Sequence, residues 1–111
     1  MMNLSDGKLL EMEMKTADMI LKQLGSHKFA TMTGAKNFLA DGDALSFQLP
    51  ARFAKKGINY VKISLESDDT YTMKFIKYFG VKVTEIAQHA GVYADHLQSI
   101  FTAETGLDTH L

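Results

Sequence analysis

The spacing of apolar residues changes twice along this chain, and those changes limit its fold more than any other feature. Between residues 15 and 24, Ala17, Ile20, Leu21 and Leu24 recur at i, i+3, i+4 and i+7, the spacing of one helix face. From Leu45 the spacing is two. Leu45, Phe47 and Leu49 alternate with Ser46 and Gln48, as in a half-buried strand. Near residue 93 the helical spacing returns, with Ala94, Leu97, Ile100 and Phe101 on one face. A chain that is helical, then extended, then helical points to α+β.

Punctuation between these runs sets the expected boundaries. Thr16 reads as an N-cap with Asp18 and Met19 in the first turn, although Ser5 or Asp6 would allow an earlier start. Gly25 stands where a left-handed C-cap belongs, and Gly106 does the same for the last helix, over 93–105. Residues 28–33 and 36–40 read as strands around Gly34-Ala35, and Asp41-Gly42-Asp43 as a tight turn. Pro50 ends the strand before it, because proline cannot donate to a ladder. Val61, Ile63 and Leu65 then face one side while Tyr60, Lys62 and Ser64 face the other. After a turn at Ser67-Asp68-Asp69, Tyr71, Met73 and Phe75 alternate with Thr72 and Lys74. Gly80 breaks the chain again, and Val81 and Val83 open a last strand to about Ala87. Short connections favour sequential antiparallel pairing. The expected architecture is an antiparallel meander sheet of about five strands, with an N-terminal and a C-terminal helix packed on one face. All 111 residues form a single domain, with 1–14 read as a frayed lead-in.

Several chemistries are excluded or left without a motif. The chain has no cysteine, so disulfides, thiolate metal sites and thiol nucleophiles are absent. The N-terminus carries acids where a signal peptide needs a basic start, and no stretch approaches a membrane span. These features predict a cytoplasmic protein without a membrane partner. His27, His89, His96 and His110 lack metal-ligand spacing, and no nucleophile elbow is present, so neither a metal, a cofactor nor a catalytic residue is expected. Gly34-Ala35-Lys36-Asn37 offers one glycine where a phosphate loop needs two, and it reads instead as a hairpin turn.

The net charge of −1 conceals a segregation. Residues 21–62 carry Lys22, Lys28, Lys36, Arg52, Lys55, Lys56 and Lys62 against only Asp41 and Asp43, whereas residues 83–111 carry four acids and no lysine or arginine. Interspersed charge solvates a surface; a basic patch also suits a polyanion. Lys56-Gly57-Ile58-Asn59-Tyr60-Val61 partly echoes an RNA-binding strand, in which aromatics stack on bases and basic residues meet phosphates. Ile58, Asn59 and Ile63 do not fit that pattern, and neither does the order of elements. What remains is a generic surface of Arg52, Lys55, Lys56, Tyr60 and Lys62, with Lys36 beside it, as the candidate binding residues. Seven Phe, four Tyr and seven Met also need cover. Any that line the second face of the sheet call for a partner or a second copy, and a bare edge strand is another route to a homodimer.

Gly25-Ser26-His27-Lys28-Phe29, Met32-Thr33-Gly34-Ala35-Lys36-Asn37-Phe38, Gly57-Ile58-Asn59-Tyr60-Val61-Lys62-Ile63, Gly91-Val92-Tyr93-Ala94-Asp95 and Glu104-Thr105-Gly106-Leu107 form an ordered set. From about Lys15 onward the chain resembles a family of small proteins of unknown function from phages, prophages and other mobile elements. The resemblance implies a genomic setting and no catalytic residue. It implies a host-cell cytosolic protein that docks on a host or phage protein, for example as a host-defence inhibitor. The reading is therefore a non-catalytic binding protein with a protein partner, with nucleic-acid binding through Arg52–Lys62 as the alternative.

Overall fold

The computed structural model describes residues 15–50 and 53–109. The frayed lead-in over 1–14, Arg52 and His110 lie outside the described residues. Five strands form one antiparallel sheet in sequential order. They are β1 (Lys36–Asp41), β2 (Ala44–Gln48), β3 (Tyr60–Leu65), β4 (Tyr71–Phe79) and β5 (Lys82–Val92). Helical residues 15–24 (α1), then α2 (Ser26–Thr33), precede the sheet, and α3 (Leu97–Thr105) follows it. The α+β meander is as the sequence predicts.

One register gives the sheet two unlike faces. Leu45 pairs with Ile63 and Ile63 with Met73; Phe47 pairs with Val61 and Val61 with Phe75. Opposed residues share a face, so these six side chains form the inner layer. They are buried in one cluster with Ala17, Ile20 and Leu24 of α1, Phe29 of α2, and Leu97 and Phe101 of α3. All three helices therefore cover one face. Complete burial of a Phe, Leu or Ile contributes about 1.5–3 kcal/mol each, which is what holds the layers together.

The helix over Ser26–Thr33 corrects the expectation of a strand at 28–33. Gly25 does stop α1: its N–H bonds Leu21 O and Lys22 O, both at 3.1 Å. The chain then re-enters a helix, with Phe29 and Thr33 buried four residues apart. Gly34 (φ 75°) ends it, so the hairpin turn expected at Gly34-Ala35 is a helix C-cap instead. The same device closes α3. Thr33 Oγ1 donates to Phe29 O at 2.8 Å and accepts from Ala35 N; Thr105 Oγ1 donates to Phe101 O at 2.7 Å and accepts from Leu107 N. Phe29 and Phe101, the first residues of the two Phe-x-x-x-Thr-Gly stops, pack edge-to-face at 5.1 Å. Two further boundaries move. The chain is already helical at Lys15, so Thr16 is an interior residue rather than an N-cap. β5 runs to Val92 rather than Ala87, passing Gly91 (φ 66°) where the ladder to β4 shifts by a residue.

Candidate functional site

Among the described residues, the sequence-predicted basic side chains are not gathered into one surface. Lys55 and Lys56 form a 3-10 turn (Lys55–Gly57) on the helix side, against the C-terminus of α3. Lys55 Nζ reaches Ala103 O at 3.5 Å, and its stem lies where a side chain at Gly106 would be. Lys56 Nζ stands 4.0 Å from Glu104, whose other oxygen meets His89 Nε2 at 3.1 Å. Cations at a helix C-terminus satisfy the dipole there, so both lysines have a structural occupation. Lys62 lies on the outer face and pairs with Asp41 at 3.3 Å.

Lys36 and Tyr60 do come together. They line a cleft of about 540 Å³ with Gln48, Leu49, Pro50, Asn59 and Tyr78. Lys36 pairs with Gln48 and Gln48 with Tyr60, so all three share the uncovered face. Gln48 is steadied by Asn37 Nδ2 at 2.8 Å. Tyr60 is half-buried rather than free, with its ring edge-to-face on Tyr78 at 5.2 Å. Asn59 fixes that pair from behind. Its Nδ2 donates to Tyr78 O and its Oδ1 accepts from Tyr78 N, both at 2.9 Å.

Beyond this brace, the β4–β5 hairpin outruns its neighbour. Tyr60, the first residue of β3, pairs with Ile76, while β4 continues through Lys77 and Tyr78 to Phe79. Phe79 pairs with Lys82, leaving the two-residue turn Gly80-Val81. Gly80 takes φ 61°, and glycine in the first turn position suits the twist of a hairpin. The tip presents Phe79 at 77% exposure, Val81 at 103% and Val83 at 57%, with Tyr78 beside them. Tyr78 and Val83 face the uncovered side and Phe79 the opposite one, so the tip is apolar on both faces. Large apolar side chains gathered on one exposed hairpin end mark an interaction surface rather than ordinary scatter.

Neither sheet edge offers a clean template for strand addition. β5 carries ladder shifts on both sides of Phe75–Met73, and β1 carries one between Lys36 and Leu39 with Asn37 at φ 56°. Bulges at an edge deter pairing with another chain.

The tip was missed because Tyr78, Phe79, Val81 and Val83 resemble core-strand residues in sequence. A usable signal was present: Tyr78-Phe79 are adjacent, so one must leave the core face, and Lys77 and Lys82 flank them. Among the described residues, no group of three or more His, Asp or Glu is placed to hold a metal ion. No described helix is long and apolar enough to cross a membrane. No protein-family profile, curated protein or solved structure matches the chain.

Proposed function

We propose that the protein is a non-catalytic docking module that grips a protein partner with the β4–β5 hairpin tip and the adjoining Tyr60–Tyr78 cleft. The observation that carries this reading is the braced, exposed hairpin tip, which carries Tyr78 and Val83 on the uncovered face, Phe79 on the other and Val81 in the turn. Covering each such side chain contributes on the order of 1.5–3 kcal/mol, enough for a few residues to dominate an interface. The ladder shifts in both edge strands favour docking by side chains over strand addition. The resemblance to phage and mobile-element proteins supports a host or phage protein as the partner and inhibition of host defence as its setting.

Nucleic-acid binding has weaker support. Lys55, Lys56 and Lys62 are engaged within the fold, and Tyr60 and Tyr78 stack on each other edge-to-face rather than as a platform for bases. Affinity capture compares the intact chain with a Phe79→Ser/Val81→Ser variant. The reading expects a protein retained by the first and lost by the second, with equal thermal stability. Equal retention by both would overturn it.

A further inference from the structure

We infer that the partner segment is acidic as well as apolar: one or more carboxylates meet Lys36 and Lys74 on the uncovered face while its aromatic or aliphatic side chains wrap the hairpin tip, covering Val83 on that face, Val81 at the turn and Phe79 on the other side. This rests on the docking reading above and names the chemistry of the segment that docks.

The lysines fall into two classes. Lys22, Lys56 and Lys62 each have a carboxylate within 4.0 Å. Among the described residues, Lys15, Lys28, Lys36, Lys55, Lys74, Lys77 and Lys82 have none at that distance. Two of them, Lys36 and Lys74, lie on the uncovered face. Lys36 stands at the cleft. Lys74 pairs with Lys62 on the uncovered face, so two ammonium groups sit on adjacent strands, and only Lys62 is answered by an acid. Lys82 pairs with Phe79 at the tip, and both fall on the helix side of the sheet, opposite Tyr78 and Val83. Glu85, opposite Ile76, is the one acid among them on β5. The other acids of the C-terminal quarter, Asp95, Glu104 and Asp108, lie after β5 on or beside α3, on the helix side. The uncovered face thus carries Lys36, Lys62 and Lys74 against Asp41 and Glu85, with Lys36 and Lys74 left without a carboxylate, and such unanswered charge selects and steers a segment of opposite sign.

The carboxylate belongs to a protein rather than the anion to a nucleic acid because of what lies between the lysines. Val81 and Val83 are aliphatic, Tyr60 and Tyr78 are turned edge-to-face on each other, and Lys36 and Lys74 against Glu85 make too few phosphate contacts for a strand.

The test pans a random-peptide display library against the full chain and measures the enriched peptides on three proteins: the intact chain, Lys36→Glu/Lys74→Glu and Phe79→Ser. A labelled single-stranded oligonucleotide is run alongside. The substituted side chains are exposed, and matching melting curves establish that each variant is folded. The expected result is enrichment of Asp or Glu next to aromatic or aliphatic residues, with binding reduced about tenfold or more by Lys36→Glu/Lys74→Glu. Enriched peptides with no acidic excess, or with unchanged affinity for the lysine variant, overturn the inference; if Phe79→Ser still weakens them, the docking reading stands alone. Peptides indifferent to all substitutions, or no enrichment, overturn both. Oligonucleotide binding that is lost in the lysine variant but kept in Phe79→Ser puts nucleic acid in the partner's place.

Discussion

The two halves of β4 carry nearly the same kind of sequence and meet opposite fates. Tyr71, Met73 and Phe75 are sealed under the helices, whereas Tyr78 and Phe79, a few residues on, stand in solvent. The difference lies in their neighbours. The first half has β3 on one side and β5 on the other, with α3 above it; the second half keeps only β5 and the Asn59 brace. An apolar side chain is core only where another layer arrives to cover it. The uncovered half is what the molecule offers to a partner.

The sharpest way to break this contrast is to truncate the same residue type in each half. Phe75→Ala removes a fully buried ring and should destabilise the fold by about 3–5 kcal/mol in denaturant titration. Phe79→Ala should stay within about 0.5 kcal/mol of the intact protein. Similar losses at both positions would mean that the tip is part of the core.

Thr105→Val probes the closed side at a helix stop. It leaves Leu107 N without its acceptor in a part-buried site and should cost about 1–2 kcal/mol, read from the same titrations. Asn59→Ala probes the brace on the open side, where about 1 kcal/mol is expected. Its more telling readout is amide hydrogen exchange: Tyr78 N–H should lose protection while Phe75 N–H keeps it. Unchanged exchange at Tyr78 would show that the tip is rigid without the brace.

The smallest effect lies at the turn joining the halves of the β3–β4 hairpin. Thr70 Oγ1 and then Thr70 N donate to Asp68 and hold its carboxyl below the usual aspartate range. Because the folded value is the lower one, the associated stability is complete above the unfolded pKa and fades as pH falls through the folded value. Asp68 is fully exposed, so Thr70→Val should move its NMR titration upward while barely moving the melting temperature.

The strands that alternate cleanly were legible from sequence: Leu45–Phe47, Val61–Ile63 and Tyr71–Phe75 all fall on the expected inner face. So were the stops at Gly25, Gly80 and Gly106. α2 was not, because only Phe29 and Thr33 of its eight residues are buried, too few to establish a helical period. The clue was chemical rather than periodic: Phe29…Thr33-Gly34 repeats Phe101…Thr105-Gly106. The basic residues misled for a different reason. Sequence proximity joined Lys55 and Lys56 to Tyr60, but the turn at Lys55–Gly57 sends the lysines to α3 while Tyr60 enters the sheet. Lys36, distant in sequence, reaches Tyr60 only through the β1–β2–β3 register, which no local pattern reveals.

Site-specific photo-crosslinking tests the central claim most directly. A crosslinker replaces Val81 at the tip in one protein and Ser99 on the solvent side of α3 in another, and each is exposed to the captured partner. The account predicts an adduct from position 81 and none from position 99. Adducts from position 99 alone would place the docking surface on the helical side and contradict it.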